Sequence, residues 1–434
     1  MGVKTGTIGD DTIYGSAFVD WLYGSDGNDT LKGFGGADRI YGGNGIDTAF
    51  YSDSTAGVTV SLEAGNGFGG TAEGDWLFGI ENLYGSSHDD VLIGDEGANA
   101  LYGLNGDDTL KGGGGVDTLD GGSGDDTLKG GGGADHLVGG SGTDTVDYSQ
   151  SPFNGLGIVV LLDANTAWGN DAEGDTFSGI ENVSGSAYHD SLRGDAGVNV
   201  LRGLNGDDIL NGLAGDDRLD GGSGNDQLMG GFGTDVMIGG SGDDSYGVDD
   251  ASDVVIEYAG QGIDIVRATA SYALPAGADI EGLVAVGMFG TAALNLTGNA
   301  SGNLVRGNYG NNVLNGGDGN DELTGLFGSD TFLFNTSLNA VSNVDVITDF
   351  NVVDDTIMLD QAIFGGIGLG SVAGSQFVIG AAAQDAGDRI IYNDATGAVY
   401  YDSDGTGAAA AVQFAELSPG LALTNHDFFV QLFF

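Results

Sequence analysis

Cysteine is missing from this 434-residue chain, and only 3 prolines and 11 lysines and arginines stand beside 64 aspartates and glutamates. Without cysteine, no disulfide can staple the fold and no thiol chemistry is available. The formal net charge of −53 excludes nucleic acid and anionic membrane surfaces as electrostatic partners, because both require a basic face on the protein. Divalent cations are the partners that this charge favours.

The motifs of several enzyme classes are also missing. The four histidines, His88, His136, His189 and His426, form no HExxH zinc motif, and the chain contains neither GxSxG nor GxxxxGK[ST]. Acidic residues are so frequent that pairs of them say little about acid–base catalysis. We therefore expect a protein that is not an enzyme.

No stretch of the chain has the character of a membrane or signal segment. The uncharged stretches 282–305 and 361–384 are long enough to span a bilayer, but their glycine, serine, asparagine and glutamine favour buried strands. The first residues, MGVKTGTIGDDTIYG, contain no apolar run, so we expect no N-terminal secretory signal peptide. The sequence predicts that the chain is not an integral membrane protein.

Glycine, in contrast, is abundant, with 86 residues, and it recurs in a fixed pattern between Gly112 and Asp147. Cut into nines, this stretch reads GGGGVDTLD, GGSGDDTLK, GGGGADHLV and GGSGTDTVD. Glycine occupies places 1, 2 and 4 of the nonapeptide, aspartate place 6 and an aliphatic residue place 8. Such a glycine-rich turn followed by a three-residue strand with one inward side chain is half of a flattened coil.

Two nonapeptides close an 18-residue coil, which brings the sixth-place aspartates of alternate repeats about 4.7–4.9 Å apart, the spacing of neighbouring strands. At about 5 Å, two bare charges repel by about 3 kcal/mol at an effective dielectric near 20. A cation between the carboxylates removes this cost. Carboxylate and carbonyl oxygens in an irregular arrangement suit Ca²⁺ better than Mg²⁺, which demands a stricter octahedron.

The pattern GGxGxDxUx resembles the nonapeptide of the RTX (repeats-in-toxin), hemolysin-type calcium-binding proteins. This resemblance implies an all-β fold, a calcium-binding parallel β-roll or β-solenoid, closed here by a C-terminal β cap. It also implies export from a Gram-negative bacterium by a type I ABC exporter. No catalytic or pore-forming domain of that family is recognisable, because the repeats begin at Gly6.

The repeats fall into four blocks separated by spacers. We predict RTX blocks at 1–50, 85–147, 185–247 and 298–333, β-solenoid spacers at 51–84, 148–184 and 248–297, and a C-terminal cap with a secretion signal at 334–434. The first spacer is expected to form longer, alternating strands, and the third to form parallel coils without calcium. Residues 57–146 return as 157–246 at a constant offset of 100, with three extra residues near Ser151–Gly155.

The sixth-place aspartates are the candidate calcium ligands, together with turn carbonyls. The predicted carboxylate ligands are Asp11, Asp20, Asp29, Asp38, Asp47, Asp90, Asp108, Asp117, Asp126, Asp135, Asp144, Asp190, Asp208, Asp217, Asp226, Asp235, Asp244, Asp321 and Asp330. The predicted carbonyl ligands are those of Gly112, Gly114, Gly121, Ser123, Gly221, Ser223, Gly316 and Asp318.

Departures from the pattern predict weaker sites. Asn99, Asn303 and Asn312 replace the sixth-place aspartate with a neutral side chain, and Phe18 replaces a turn glycine beside Asp20. Outside the repeats, we interpret Asp402–Gly405 as a β-turn, with an isolated calcium loop as the alternative.

Two functions remain compatible with the sequence. In the first, the chain folds on binding several Ca²⁺ ions after export and acts outside the cell or at its surface in a structural, adhesive or host-interaction role. The C-terminal HDFFVQLFF is similar to the uncleaved signal that type I exporters recognise in this family. In the second, the chain is an extracellular polysaccharide-acting enzyme with a site in a spacer, which carboxylates and aromatics around Trp76, Tyr84 or Trp168 would favour.

Overall fold

A computed structural model describes residues 2–151 and 155–433 of the chain, which divides into two compact units, Met1–Ser223 and Gly224–Phe434. Residues 152–154, in the stretch Ser151–Gly155 near which the three-residue insertion is expected, lie outside the described residues, as do Met1 and Phe434. Within the described part, helix is limited to the 3₁₀ turns Gly70–Ala72, Leu162–Ala164, Asn170–Ala172 and Asn425–Asp427. None of them is long and apolar enough to cross a bilayer.

The first unit consists of short strands. Up to the end of the first spacer they are Gly2–Thr5, Thr12–Tyr14, Asp20–Asp26, Thr30–Lys32, Arg39–Asn44, Thr48–Phe50, Thr59–Ser61, Asn66–Phe68, Trp76–Phe78 and Asn82–Tyr84. The following strands are Val91–Ile93, Ala100–Asn105, Thr109–Gly114, Thr118–Ser123, Thr127–Gly132, His136–Ser141 and Thr145–Asp147. The last are Val159–Leu161, Thr166–Trp168, Thr176–Ser178, Asn182–Ser184, Ser191–Arg193, Val200–Asn205, Ile209–Ala214 and Arg218–Ser223.

The second unit is built in the same way. Its repeat and spacer strands are Gln227–Phe232, Val236–Ser241, Ser245–Val248, Val254–Ile256, Ile265–Ala268, Tyr272–Ala273, Gly282–Ala285, Asn295–Thr297, Leu304–Arg306, Val313–Asn315, Glu322–Thr324 and Thr331–Phe334. Its C-terminal strands are Asp345–Ile347, Thr356–Asp360, Gly370–Ser371, Phe377–Ile379, Ile390–Tyr392, Ala398–Tyr401, Val412–Glu416 and Phe428–Gln431.

The 18-residue coil predicted from the nonapeptide is confirmed. Strand Thr109–Gly114 pairs in parallel with Thr127–Gly132, so that Leu110 lies beside Leu128, and both leucines are fully buried. The strands are twice as long as predicted because turn places also pair. Gly113 has a φ of +112°, and a Cβ there would overlap the carbonyl of Asp95, so this pairing requires glycine.

The first spacer differs from the prediction of longer strands, which is wrong. Its strands have three residues, and Thr59–Ser61 and Asn66–Phe68 form an antiparallel hairpin. The hairpin is inserted into one sheet only, since Thr48–Phe50 of the other sheet pairs directly with Asn82–Tyr84. Gly65 and Gly69, with φ of +65° and +74°, supply tight turns where the hydrophobic alternation suggested longer strands.

The copied module is visible in the structure. The 3₁₀ turn Gly70–Ala72 returns as Asn170–Ala172, and the hairpin strand Thr59–Ser61 returns as Val159–Leu161, again in an antiparallel pair. The hydroxyl of Tyr51 donates to Asp75 at 3.3 Å, and that of Tyr148 donates to Asp175 at 2.7 Å. These equivalent contacts confirm the duplication, including the shift to an offset of 97 before the insertion.

The third spacer forms parallel coils, as predicted. Strand Ile265–Ala268 pairs in parallel with Ser245–Val248 and with Gly282–Ala285. In the C-terminal region the segment Phe428–Gln431 pairs in parallel with Thr356–Asp360. Phe428 and Val430 are buried in this strand whereas Phe429 is 38% exposed, so the terminal cluster is an amphipathic strand in the folded chain.

Candidate metal centre

Sixth-place aspartates form hydrogen-bonded rows along the coils. In the second block the backbone N–H of Asp90 donates to Oδ1 of Asp108 at 2.7 Å, and that of Asp108 donates to Oδ1 of Asp126 at 2.8 Å. The N–H of Asp126 in turn donates to Oδ1 of Asp144 at 2.8 Å. Each step spans one coil, so one carboxylate oxygen of every aspartate in the row is held by the backbone of the preceding coil.

The second carboxylate oxygen of these aspartates is buried and has no hydrogen-bond partner among the residues that the structure describes. This holds for Oδ2 of Asp29, Asp38, Asp47, Asp108, Asp117, Asp126, Asp135, Asp144, Asp244, Asp321 and Asp330. A buried unpaired carboxylate oxygen is costly unless a cation or a proton is bound to it.

A small cradle surrounds each of these oxygens. A Cβ on Gly103, the first-place glycine, would overlap Oδ2 of Asp108 and lie 2.7 Å from the carbonyl oxygen of Gly121 in the next coil. Carboxylate and carbonyl oxygens therefore converge on the space beside a glycine that has no side chain. The arrangement fits a hard cation that accepts oxygen ligands in irregular geometry, which describes Ca²⁺.

Burial raises the pKa of the sixth-place carboxyl groups. It raises the pKa of Asp108 and Asp117 to about 7 and that of Asp126 to about 6, with smaller contributions from neighbouring carboxylates, while backbone hydrogen bonds oppose the change. The pKa of Asp330 is raised to about 6 for the same first reason. Protons and calcium therefore compete for the same oxygens.

At the start of the blocks the aspartates have protein partners instead. The hydroxyl of Ser86 donates to Asp90 at 2.9 Å and that of Ser186 donates to Asp190 at 2.8 Å. Asp20 accepts from Ser16 at 2.6 Å, and Asp11 accepts from the hydroxyl of Thr7 at 2.8 Å. A hydroxyl residue at the second place of the nonapeptide thus satisfies the carboxylate without a cation, a signal that was present in the sequence.

The asparagine turns are closed by their own amides. Nδ2 of Asn99 donates to the carbonyl of Glu81 at 2.9 Å, and Nδ2 of Asn303 donates to that of Ile280 at 2.7 Å. Nδ2 of Asn312 donates to Oδ1 of Asn308 at 3.2 Å. A donor therefore stands where aspartate presents an acceptor, which supports the expectation of weak calcium binding at these turns.

The other predicted ligands are in matching positions. Asp208, Asp217, Asp226 and Asp235 are buried. The first-place carbonyls of Gly112, Gly121, Gly221 and Gly316 each face the first-place glycine of the preceding coil, beside its sixth-place side chain.

The third-place carbonyls of Ser123 and Ser223 accept hydrogen bonds from the N–H groups of Gly106, at 2.9 Å, and Gly206, at 2.8 Å. A carbonyl has two lone pairs, so these oxygens can still bind a cation. Coordination by Gly114 and Asp318 stays a prediction.

Aspartates of the spacers continue the rows of sixth-place aspartates. The sequence did not predict that these residues join the rows. Oδ1 of Asp75 accepts from the N–H of Asp38 at 2.8 Å, and Oδ1 of Asp175 accepts from that of Asp135 at 2.8 Å. In the C-terminal region Asp345 and Asp355 do the same. Asp75 and Asp175 each precede an apolar residue by two places, which is the spacing between the sixth and eighth places of the nonapeptide.

Outside the acidic rows, the loop Asp402–Gly405 is a turn in which Oδ1 of Asp402 accepts from the N–H groups of Asp404 and Gly405, at 3.1 and 2.8 Å. This contact supports the β-turn interpretation.

An aromatic cluster covers part of the first unit. The rings of Tyr41 and Phe78 stack at 4.8 Å, and Trp76, 46% exposed, lies beside Phe78. The guanidinium of Arg39 lies 5.6 Å from the ring centre of Trp76 and 6.0 Å from that of Trp21. A cation therefore accompanies these rings, an arrangement stabilised by cation–π attraction.

A family model describing the RTX calcium-binding nonapeptide repeat, in four copies, matches residues 5–49, 77–146, 175–246 and 297–332. These matches cover just over half of the chain and coincide with the aspartate rows. A comparison with curated proteins found no match.

Proposed function

Because the chain belongs to the family of RTX calcium-binding nonapeptide-repeat proteins, we propose that it is a secreted, non-enzymatic protein that folds as it binds several Ca²⁺ ions. Export occurs through a type I ABC exporter, and the folded protein acts outside the cell or at its surface in a structural, adhesive or host-interaction role. The observation that carries this proposal is the series of buried aspartate oxygens without partners.

Calcium has one role at these turns, which is to balance the charge of the oxygen ligands that the protein supplies. Sixth-place carboxylates such as that of Asp126, with first-place carbonyls such as that of Gly121, supply oxygens, and bound calcium supplies the positive charge that they lack. In the metal-free fold the carboxylates are left unpaired over many coils, a cost that the unfolded chain avoids by hydrating them. Binding free energy therefore becomes folding free energy.

The C-terminal strand supports export of an unfolded chain. Phe428 and Val430 are buried against the strand Thr356–Asp360 in the folded state, so an exporter can contact their side chains only before this region folds. Glycine-rich turns add to the entropy of the unfolded state, so ordering them is costly. At low cytosolic calcium, no binding free energy offsets this cost. Outside the cell, calcium reverses this balance.

The test is a calcium titration of the EDTA-stripped full chain, followed by far-UV circular dichroism and by emission from Trp21, Trp76 and Trp168. We expect a cooperative gain of β-structure at submillimolar to millimolar calcium, and none with magnesium at the same concentrations. A stripped chain that is already fully β-structured would contradict the proposal.

One observation favours a second candidate, action on an extracellular polysaccharide. A cavity of about 520 Å³ in the first unit is lined by carboxylates of both spacers and of the turns between them, including Glu63, Glu96 and Asp171. Incubation of calcium-loaded protein with acidic and neutral polysaccharides, with the Glu96→Gln variant as control, tests this candidate. Release of shortened chains by the wild type alone would favour the enzyme, and binding without cleavage would favour adhesion.

A further inference from the structure

An acidic cluster that combines a sixth-place aspartate with two carboxylates of the spacer lies where the third block meets the third spacer, within the second unit. Strand Val236–Ser241 pairs in parallel with Val254–Ile256, so that Met237 lies beside Val255. Glu257 therefore follows Gly239 by one full coil of 18 residues. At this position the repeat pattern has its first-place glycine, and a glutamate stands there instead.

Three carboxylates meet in this cluster. Ligand oxygens of Asp244, Glu257 and Asp264 all lie within 4.8 Å of one another. The three residues are 2%, 4% and 1% exposed, so water does not screen their charges. Two oxygens bound to one calcium-sized cation at about 2.3–2.6 Å are separated by at most about 5 Å, and the spacing of the cluster satisfies this limit.

Two oxygens of the cluster have no partner. Oδ2 of Asp244 and Oε2 of Glu257 are buried without a hydrogen-bond partner among the described residues. Two further oxygens are held in place: Oδ1 of Asp264 accepts from the N–H of Asp244 at 2.8 Å, and Oε1 of Glu257 accepts from the hydroxyl of Tyr246. The protein thus orients the carboxylates and leaves one oxygen of Asp244 and one of Glu257 without a partner.

Gly239 leaves this space open. A Cβ on Gly239 would overlap Oδ2 of Asp244, Oε1 of Glu257 and the hydroxyl of Tyr246. At the regular turn of Gly103 the corresponding contacts are one aspartate oxygen and one backbone carbonyl. The cradle of Gly239 therefore faces two carboxylates, with that of Asp264 within reach, where the regular cradle faces one carboxylate and a neutral oxygen.

We propose that Asp244, Glu257 and Asp264 bind one Ca²⁺ ion at a site that adds two carboxylates from outside the repeats to the sixth-place Asp244, and that this site holds calcium more tightly than the regular turns. An additional carboxylate raises the affinity of an oxygen site for Ca²⁺ because ligand charge tunes it. The ion joins the last turn of the block to residues of the spacer. It therefore fixes a segment that the sequence predicted to be free of calcium.

The electrostatics of the metal-free cluster agree with this assignment. Burial, followed by the charges of Asp264 and Asp244, raises the pKa of Glu257 to about 8. Burial is also the first cause that raises the pKa of Asp244 to about 7 and of Asp264 to about 6. A bound divalent cation removes the repulsion that these shifts express.

The experiment measures calcium retained by the full chain in buffers of fixed, decreasing free calcium, by elemental analysis after equilibrium dialysis. We expect about one ion per chain to remain at calcium levels that empty the regular turns. The Glu257→Gln variant, which keeps the size of the side chain, is expected to lose this ion at least tenfold earlier. Asp126→Asn serves as the matched control, because it removes a regular ligand and leaves the tight ion in place.

Equal retention by wild type and Glu257→Gln would overturn the proposal, as would loss of the tight ion in Asp126→Asn. Crystals of the wild-type chain grown with Tb³⁺ provide a measurement that does not depend on the variants. An anomalous peak bonded to all three carboxylates is expected, and its absence refutes the site. Both experiments also measure calcium at the regular turns. A negative result for this cluster would therefore leave the proposal of calcium-dependent folding intact.

Discussion

The aspartate turns and the asparagine turns follow the same nonapeptide pattern. Their sixth-place side chains differ in one atom, which is an oxygen in aspartate and a nitrogen in asparagine. Toward the preceding coil, Oδ1 of Asp108 accepts from the N–H of Asp90, whereas Nδ2 of Asn99 donates to the carbonyl of Glu81. Beside the first-place glycine, Oδ2 of Asp108 has no partner, whereas Oδ1 of Asn99 accepts from the N–H of Asp95 at 2.8 Å. We propose that a cation completes the first turn, whereas the protein itself completes the second.

This difference indicates which turns require calcium. An amide can be buried if its hydrogen bonds are made, whereas a buried carboxylate needs a countercharge. At Asn99 and Asn303 a spacer carbonyl, that of Glu81 or Ile280, accepts from the side-chain amide. We infer that calcium is required at those turns where the protein itself leaves a carboxylate oxygen without a partner.

The largest effect in this comparison is expected from lowering the pH. The pKa values of Asp108 and Asp117 are about 7 and that of Asp321 is about 6 in the folded chain, against an ordinary value of 3.8. Between about pH 7 and pH 4 the folded state then binds more protons than the unfolded state, so lowering the pH stabilises the metal-free fold. We expect EDTA-stripped protein to show more β-structure at pH 5 than at pH 8 by circular dichroism.

Calcium should accordingly add less stability at pH 5 than at pH 8, because protons already occupy the aspartate oxygens. Asparagine turns do not titrate and take no part in this effect. A stripped chain that is less structured at pH 5 than at pH 8 would show that burial does not raise the pKa of these carboxyl groups.

The next test removes one aspartate. Asp126→Ala deletes a ligand and also the acceptor for the N–H of Asp108, and should lower the free energy of unfolding in calcium by about 3–5 kcal/mol. Asp126→Asn should cost less, because its Oδ1 keeps that hydrogen bond. Denaturant unfolding in saturating calcium measures both. Equal losses for the two variants would mean that the charge, and not the backbone contact, sets the cost.

A third test fills the cradle without changing a ligand. Gly103→Ala places a Cβ against Oδ2 of Asp108 and the carbonyl of Gly121, and should lower the stability in calcium by about 1–3 kcal/mol through overpacking. Gly132→Ala is the matched control in the same block, since a Cβ there meets nothing within 4 Å. Thermal unfolding of both variants should separate them, and a similar effect of the two would remove the cradle argument.

The smallest effect is expected from converting one class of turn into the other. Asn312→Asp replaces the amide that donates to Asn308 with a carboxylate oxygen. In saturating calcium the stability should change by less than about 1 kcal/mol, because a new ion offsets the lost hydrogen bond. Elemental analysis should detect additional bound calcium. Unchanged calcium content would show that the aspartate alone does not make a site.

Much of the fold followed from the period of the sequence. The nine-residue spacing predicted the 18-residue coil, and the eighth-place apolar residues predicted the buried line that Leu101 and Leu119 confirm. The sixth-place aspartates were placed at the correct edge of the turns because every repeat presents the same side chain at the same angle. Periodicity therefore determined the parts of the structure that repeat.

The remainder depended on segments without a period. Asp75 enters the aspartate row from a spacer, and Glu257 enters a repeat cradle from another. The place of Asp75 does not follow from a spacing, because it depends on how many residues the spacer uses before the chain returns to the coil. Glu257 stands one regular coil after Gly239, but a glutamate in place of the first-place glycine hid that position in the sequence.

The hydrogen-bonded step from one coil to the next has a consequence for how cooperatively each unit melts. Each ion contacts only its nearest coils, so a block behaves as a one-dimensional lattice whose occupied layers support their neighbours. A layer closed by an amide, such as that of Asn303 or Asn312, does not transmit occupancy. Such layers are boundaries at which a partly loaded chain can remain ordered on one side and open to proteases on the other.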